Sequence, residues 1–335
     1  MRQECPNCEI LILRNGIQDL PQGTDVAEKD VFYQDSVFLL REIYIRKEGK
    51  GNALNEGIRH ARNDLICVLD ADCVLQEDAL SEAVKHFRND EVVAVGGRLL
   101  VKREDSSQLE AIQFCEYMKA FQLSRRIFAR LNAQCLISGA FGVFRKSTLL
   151  GMNGYDIDTV GEDMELVLRL QKQGFQQSKK QIVYEPTAVC YTGVPHSIKR
   201  LLHQRDRWQR GLMDCLIKHH NLIANPRYGL LGLVTMCYQL MVELLGPIFW
   251  VIYTVLLIDK NMFPFFSVAF VGYALVQIGL TIFAAYIDTQ KNMESLLRWI
   301  PKLILTTIED MVLQIPIMVA RVVGMLTFHW RRLVW

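Results

Sequence analysis

Leu65-Ile66-Cys67-Val68-Leu69-Asp70-Ala71-Asp72 runs from five apolar residues straight into two acids separated by one residue. A short apolar run of this kind reads as a strand buried on both faces, and the acids as the turn that follows it. Upstream, Lys50–Arg62 has helical spacing through Ala53, Leu54, Gly57, Ile58 and Ala61. Before it, Ser36–Ile45 reads as a strand, and Glu9–Leu13 (EILIL) as a buried strand ended by the turn Asn15-Gly16. Downstream, Glu77–Phe87 is helical, Glu91–Val101 is strand-like and Ser107–Arg130 is a long amphipathic helix. Phe141–Phe144 is a short buried strand, Glu162–Gln173 a helix, Ile182–Tyr191 the last strand, and Ser197–His219 a basic, Trp-bearing helix. The alternation predicts an α/β fold with a mostly parallel sheet and helices on both faces.

The 335 residues are uneven in composition. From Met1 to about Arg227 charges occur throughout, as in a soluble globular domain. Leu230–Ile258 then carries one charge, Glu243, and Phe263–Ile287 carries none, whereas about 20 apolar residues suffice to cross a bilayer core. The first of these runs is long for one untilted crossing, and Gly246-Pro247 is placed to kink it. Leu303–Phe328 is interrupted by Glu309, Asp310 and Arg321, and reads as an amphipathic helix on the membrane surface, a third membrane helix being the other choice. Arg298, Lys302, Arg331 and Arg332 flank it, and cytoplasmic segments are enriched in such residues. The expectation is a globular domain over 1–225 and a membrane domain over 226–335, with spans near 230–258 and 263–287 and the third segment near 299–328. No secretory signal is recognisable ahead of the globular stretch, so the protein reads as integral to the cell membrane with its globular domain cytoplasmic.

A net charge of +2 gives no electrostatic case for a nucleic-acid partner. Of the nine cysteines, only Cys5 and Cys8 are close enough to suggest a metal pair, and the second pair of a structural zinc site is missing.

Chemistry concentrates in three segments. Asp70 and Asp72 follow a strand, where α/β sheets expose ligands, and two carboxylates at a turn suit a hard divalent cation such as Mg²⁺ or Mn²⁺. Acidic turn residues are also common and merely solvated. Gly161-Glu162-Asp163 opens a helix; it reads equally as an acidic cap or as a carboxylate able to take a proton from a sugar hydroxyl. Gln204-Arg205-Asp206-Arg207-Trp208 joins an amide, a bidentate donor fork and an indole in about one helical turn. Such a set fits a diphosphate and a sugar ring, and fits as well an aromatic collar at a membrane interface.

Their order is more informative than any one of them. Lys50-Gly51-Asn52-Ala53-Leu54-Asn55, Asp70-x-Asp72, Ser138-Gly139-Ala140, Glu162-Asp163 and Gln204-x-x-Arg207-Trp208, followed by apolar spans, resembles the processive branch of family 2 glycosyltransferases. That branch holds the hyaluronan, cellulose, chitin and poly-N-acetylglucosamine synthases. The resemblance implies a GT-A-type domain that binds a nucleotide sugar, usually a UDP-sugar. It implies Asp72 as principal metal ligand, with Asp70 on the ribose or the same metal, and Asp163 as catalytic base beside Glu162. Gln204 and Arg207 would hold the diphosphate, Lys50 would lie near the donor, and Trp208, with Ser138 and Gly139, would meet the acceptor. The acceptor would be a polysaccharide or a lipid, in contact with membrane lipid.

Pro6–Gly16 resembles the family's second strand, and Asn15, Gly16 and Asp19 keep part of the donor-binding turn that follows it. The family's first strand has no counterpart here, which leads to the expectation that Met1 is not the start of the working protein. A non-catalytic or degenerate membrane subunit keeping the same fold is the alternative; a soluble nucleotidyltransferase is more distant, since it needs neither the Gln-Arg-Trp segment nor the spans.

Overall fold

The computed structural model describes residues 8–21, 24–31, 39–102, 107–177, 180–258, 263–289 and 293–328. Cys5, the start of the expected strand at 36–38, and Arg331 and Arg332 lie outside these. The chain divides into two compact units. One holds the described residues up to Gly97 together with Cys135–Cys190; the other holds Arg98–Gln134 and the described residues from Tyr191 onward.

In the first unit, β1 (Glu9–Asn15), β2 (Val26–Val31) and β3 (Leu39–Ile45) form a sheet in the order β1-β3-β2. The central strand buries Ile43 and Ile45 on its apolar side. Arg41, also buried, is neutralised from both neighbours, by Glu9 of β1 at 2.8 Å and Glu28 of β2 at 2.5 Å. Sequence reading missed β2, whose Val-Ala-Glu-Lys-Asp-Val lacks a clean apolar run because an edge strand faces water. Helix α1 (Lys50–His60) buries Ala53, Gly57 and Ile58 and approaches β1 closely: a Cβ on Gly57 would stand 2.9 Å from Leu13 Cδ1.

The second sheet holds β4 (Leu65–Leu69), β5 (Val74–Leu75), β6 (Val92–Val101), β7 (Phe141–Arg145) and β8 (Gln181–Thr192) in the order β4-β7-β6-β8-β5. Between β5 and β6 lies α2 (Ala79–Val84), which tightens into a 3-10 turn through Arg88. Between β6 and β7, α3 (Gln108–Lys119) runs through a π-helical stretch, Ala120–Arg125, into α4 (Arg126–Arg130). α5 (Lys146–Gly151) and α6 (Glu162–Gln177) follow β7. Val68, Ile137, Phe144, Leu166, Val167 and Leu170 pack in a single core.

The expected mostly parallel sheet is corrected. β1–β3 is parallel, but β2–β3, β4–β7 and β6–β7 are antiparallel. Apolar runs identify buried strands without fixing their direction, and β7 enters between β4 and β6 from the end where β4 finishes. Leu69 therefore pairs with Phe141, and Asp70 N–H donates to Ala140 O at 3.3 Å. This reversal brings Ser138-Gly139-Ala140 to the acidic turn; a parallel β7 would have started at the far end of β4.

The second unit is helical. After α7 (Ile198–Lys218) come two π-helical stretches, Leu231–Met236 and Gln239–Leu244, then α8 (Gly246–Ile258), α9 (Phe263–Asp288) and α10 (Met293–Leu326). Leu231–Leu256, Ser267–Asp288 and Leu296–Leu326 are each long and apolar enough to cross a membrane. Asp310 and Arg321, which favour a surface reading of the third, are turned onto protein. Gln314 donates to Glu116 of α3 at 3.1 Å and to Asp310 at 2.8 Å, and Lys119 of α3 lies 3.7 Å from Asp310. Arg321 donates to Gln209 of α7 at 2.6 Å and pairs with Glu243 at 3.1 Å. Fully buried Arg210 of α7 pairs twice with Asp206 at 3.0 Å and donates to Thr327 O at 3.0 Å.

Candidate active site

Four segments of the first unit converge at the end of β4. Lys50, the first residue of α1, donates to Asp70 Oδ1 at 2.7 Å and stands 3.7 Å from Glu162 Oε1. The Gly139 amide donates to Asp163 Oδ2 at 3.0 Å. Gly139 lies close against both charges: a Cβ there would stand 3.1 Å from Lys50 Nζ, which would have to give by a few tenths of an ångström, and 3.5 Å from Asp163 Oδ2, an ordinary contact. Ser138 closes the same loop, its Oγ accepting from Ala140 N at 3.4 Å and its carbonyl from Phe141 N at 3.1 Å.

The acidic-cap reading of Glu162-Asp163 accounts for part of this geometry. Both lie in the first turn of α6, where the helix dipole favours negative charge. Asp163 Oδ1 accepts from Met164 N at 2.8 Å, a local contact, but Oδ2 leaves the helix to reach Gly139. Two backbone amides therefore aim this carboxylate into the cluster. Burial works against the charge on Lys50. The charge and hydrogen bond of Asp70, with Glu162 and Asp163 behind them, outweigh it and hold the ammonium pKa above the ordinary lysine value.

Two further residues were not assigned a role from sequence. Asn55, one turn beyond Lys50, donates to Tyr155 O at 2.9 Å and accepts from Tyr155 N at 2.7 Å. Gly154 makes room for this contact: it holds φ +72°, and a Cβ there would sit 2.1 Å from Asn55 Oδ1. Tyr155 is buried, and its burial together with the charges of Asp163, Glu162 and Asp70 pushes its phenol pKa far upward, so the hydroxyl keeps its proton.

Asp72 is exposed, and the Cys73 thiol donates to its Oδ1 at 3.7 Å. No group of three or more His, Cys, Asp or Glu positioned for a metal occurs among the described residues. The donor set still fits a hard cation that takes only one or two protein carboxylates and completes its shell with phosphate and water oxygens. Asn15, the last residue of β1, and Asp19 in the loop after it are exposed. Gly16, at φ +72°, faces Glu48, with a Cβ-to-Cγ distance of 3.3 Å, and so lies beside the segment that leads into Lys50. Arg46 fixes the loop around Asp19 by donating to the carbonyls of Gln18, Leu20, Pro21 and Thr24.

In the second unit, Gln204, Arg207 and Trp208 share α7. Gln204 carries a buried Oε1 with no hydrogen-bond partner among the described residues, and Arg207 is exposed. Trp208 is 43% exposed, with the Arg205 guanidinium 4.7 Å from its ring centroid. Arg205 is in turn paired with Glu116 of α3. Nothing in the spacing links residues 116 and 205, so this anchoring of the Arg205–Trp208 stack was not legible in the sequence.

An α/β unit with acids gathered at a strand end, joined to apolar helices in one chain, is the setting in which the comparisons with known proteins fall. Residues 65–286 match the model described as Glycosyl transferase family group 2, and the chain belongs to that family. It is 32% identical over 252 residues to the poly-beta-1,6-N-acetyl-D-glucosamine synthase of Staphylococcus aureus, covering 74% of this chain and 56% of that protein. The chain thus spans little more than half the length of that relative. The Staphylococcus epidermidis synthase of the same name is 30% identical over 321 residues, covering 90% of this chain and 74% of that one. Among solved structures, a mannosyltransferase from Pyrobaculum calidifontis in complex with GDP-Man and Mn²⁺ matches with a TM-score of 0.45 and 18% identity, over 82% of this chain and 69% of that one.

Proposed function

We propose that this chain is an inverting glycosyltransferase of the membrane, moving a hexose or N-acetylhexosamine from a UDP-sugar to a polysaccharide or lipid acceptor. The curated relatives, named as N-acetylglucosamine polymer synthases, make N-acetylglucosamine the first sugar to test. The observation that carries the reading is the Asp163 carboxylate, held by the Gly139 and Met164 amides beside the Lys50, Asp70 and Glu162 charges.

In this reading Asp163 takes the proton from the acceptor hydroxyl as its oxygen bonds to the anomeric carbon, while the bond from that carbon to the nucleoside diphosphate breaks on the opposite side. One displacement inverts the centre, so an α-linked donor yields a β-linked product. Asp72 and Asp70 would hold Mg²⁺ or Mn²⁺, which when bound neutralises diphosphate charge. Gln204 and Arg207 bind the diphosphate, Arg207 as a charged fork, and Trp208 offers its free ring face to an acceptor sugar. Asn15 and Asp19 contact the donor, and Ser138 and Gly139 border the acceptor. The globular unit faces the cytoplasm, where nucleotide sugars are supplied.

Membranes containing the protein, incubated with radiolabelled UDP-N-acetylglucosamine and then with other UDP-sugars, provide the test. Label entering polymer or lipid with one donor, and disappearing in Asp163→Asn, is the expected result. No incorporation from any donor by correctly inserted protein would overturn the catalytic reading in favour of a non-catalytic subunit.

A further inference from the structure

Among the acids of the candidate site, the place a cation would take is held by a side chain of the protein itself. Lys50 Nζ lies 2.7 Å from Asp70 Oδ1 and 3.7 Å from Glu162 Oε1, close against Gly139. The contact is open to exchange, because the side chains of Lys50 and Asp70 are 43% and 37% exposed. Asp72, two residues on in the same turn, is exposed and forms no ion pair among the described residues. Of the two carboxylates suited to a divalent ion, one therefore has no counter-charge among the described residues and the other is already neutralised.

We propose that Lys50 is a tethered counter-cation that occupies Asp70 until a divalent ion takes it, and that the donor diphosphate draws the released ammonium away. This rests on the reading of Asp70 and Asp72 as the metal-holding pair. A divalent ion approaching Asp70 must either displace the ammonium or meet its repulsion at close range. Displacement becomes cheap when a second anion is offered to Lys50, which stands at the start of α1 on a flexible four-carbon stem. A diphosphate supplies that anion. Metal and donor then favour each other's binding through Lys50, and the coupling is reciprocal. If the lysine served only to fix the start of α1, its removal would leave metal affinity unchanged or lower.

The experiment measures Mn²⁺ binding by the full chain in detergent, from the free-ion electron paramagnetic resonance signal, with and without UDP. In Lys50→Met without UDP, Mn²⁺ should bind about two- to five-fold more tightly than in the unmodified protein, the range set by a half-exposed ion pair. UDP should then strengthen Mn²⁺ binding by a smaller factor in the variant than in the unmodified protein. Lys50→Gln, which keeps a polar head without the charge, should behave the same way and guards against a local packing effect. Equal or weaker Mn²⁺ binding in both Lys50 variants, with Asp72→Ala still abolishing it, would overturn the counter-cation role alone. Binding that survives Asp72→Ala would overturn the metal-holding pair and this proposal with it.

Discussion

Asn55 and Tyr155, 100 residues apart, are joined by a two-way hydrogen bond, the Asn55 amide donating to Tyr155 O at 2.9 Å and accepting from Tyr155 N at 2.7 Å. The contact ties the helix that begins with Lys50 to the loop that leads to Asp163. Asn55→Ala leaves a buried donor and acceptor unpaired and should cost roughly 1–3 kcal/mol of stability. Asn55→Asp, which accepts but cannot donate, should fall between. Thermal unfolding in detergent measures both; an unchanged midpoint in Asn55→Ala would remove the contact from the account of how the site is held.

Asp163→Asn should lower the transfer rate by about 10²–10⁴-fold while donor KM stays within a few-fold, because the missing proton acceptor matters in the transition state. Gly139→Ala should reduce the rate by a smaller factor, since its Cβ would crowd Lys50 Nζ at 3.1 Å. Initial rates over a range of donor concentrations separate the two parameters, and full activity in Asp163→Asn would exclude it as the base.

Chelation should stop transfer by the unmodified protein, and Mg²⁺ or Mn²⁺ should restore it. Asp72→Ala should be inactive and remain so after either ion is added. Transfer that persists in the presence of a chelator would remove Asp72 from the chemistry.

Trp208 and Arg205 are stacked, with the guanidinium 4.7 Å from the ring centroid. If the exposed ring receives an acceptor sugar, Trp208→Phe should lose activity while membrane insertion is unchanged. If the indole is a collar at the membrane interface, Trp208→Phe should retain most activity, since both rings suit that environment. Activity normalised to inserted protein distinguishes the two.

Away from the site, Glu185 of β8 gives a pH-dependent test of stability. Burial raises its pKa, but the Thr187 hydroxyl and amide, then His86 at 2.6 Å and Lys85, lower it further, leaving it below the ordinary 4.5. A group whose pKa is depressed on folding stabilises above its unfolded value and loses that contribution as pH falls through the folded one. Glu185→Gln should therefore cost about 1–3 kcal/mol near neutral pH, and the difference from the unmodified protein should shrink as the pH falls below the ordinary 4.5 and be lost below the depressed folded pKa. A destabilisation equal at both pH values would show that the ionised carboxylate is not its source.

Strands with uninterrupted apolar runs were legible from the sequence: Glu9–Leu13 and Leu65–Leu69 fall within β1 and β4. Direction was not, because an apolar run reports burial on both faces and nothing about which end of the sheet a strand enters. The antiparallel entry of β7 decides that Gly139 meets Asp163 and Asp70 meets Ala140, although each motif was visible separately. The same applies to Asn55, which was visible in the run from Lys50 while its partner lay beyond any local spacing. In α10 the charges Asp310 and Arg321 were visible, but their partners on α3, on α7 and at Glu243 lie beyond any local spacing.

The polar stripe of α10 also bears on how the protein is made. Its partners Glu116, Lys119, Gln209 and Glu243 all precede it in the chain. They are already synthesised when this helix leaves the ribosome. Ionisable groups are costly in a bilayer unless they face protein or water. The helix therefore takes its rotational setting from segments made before it, and those segments must be in place before its charged positions are covered.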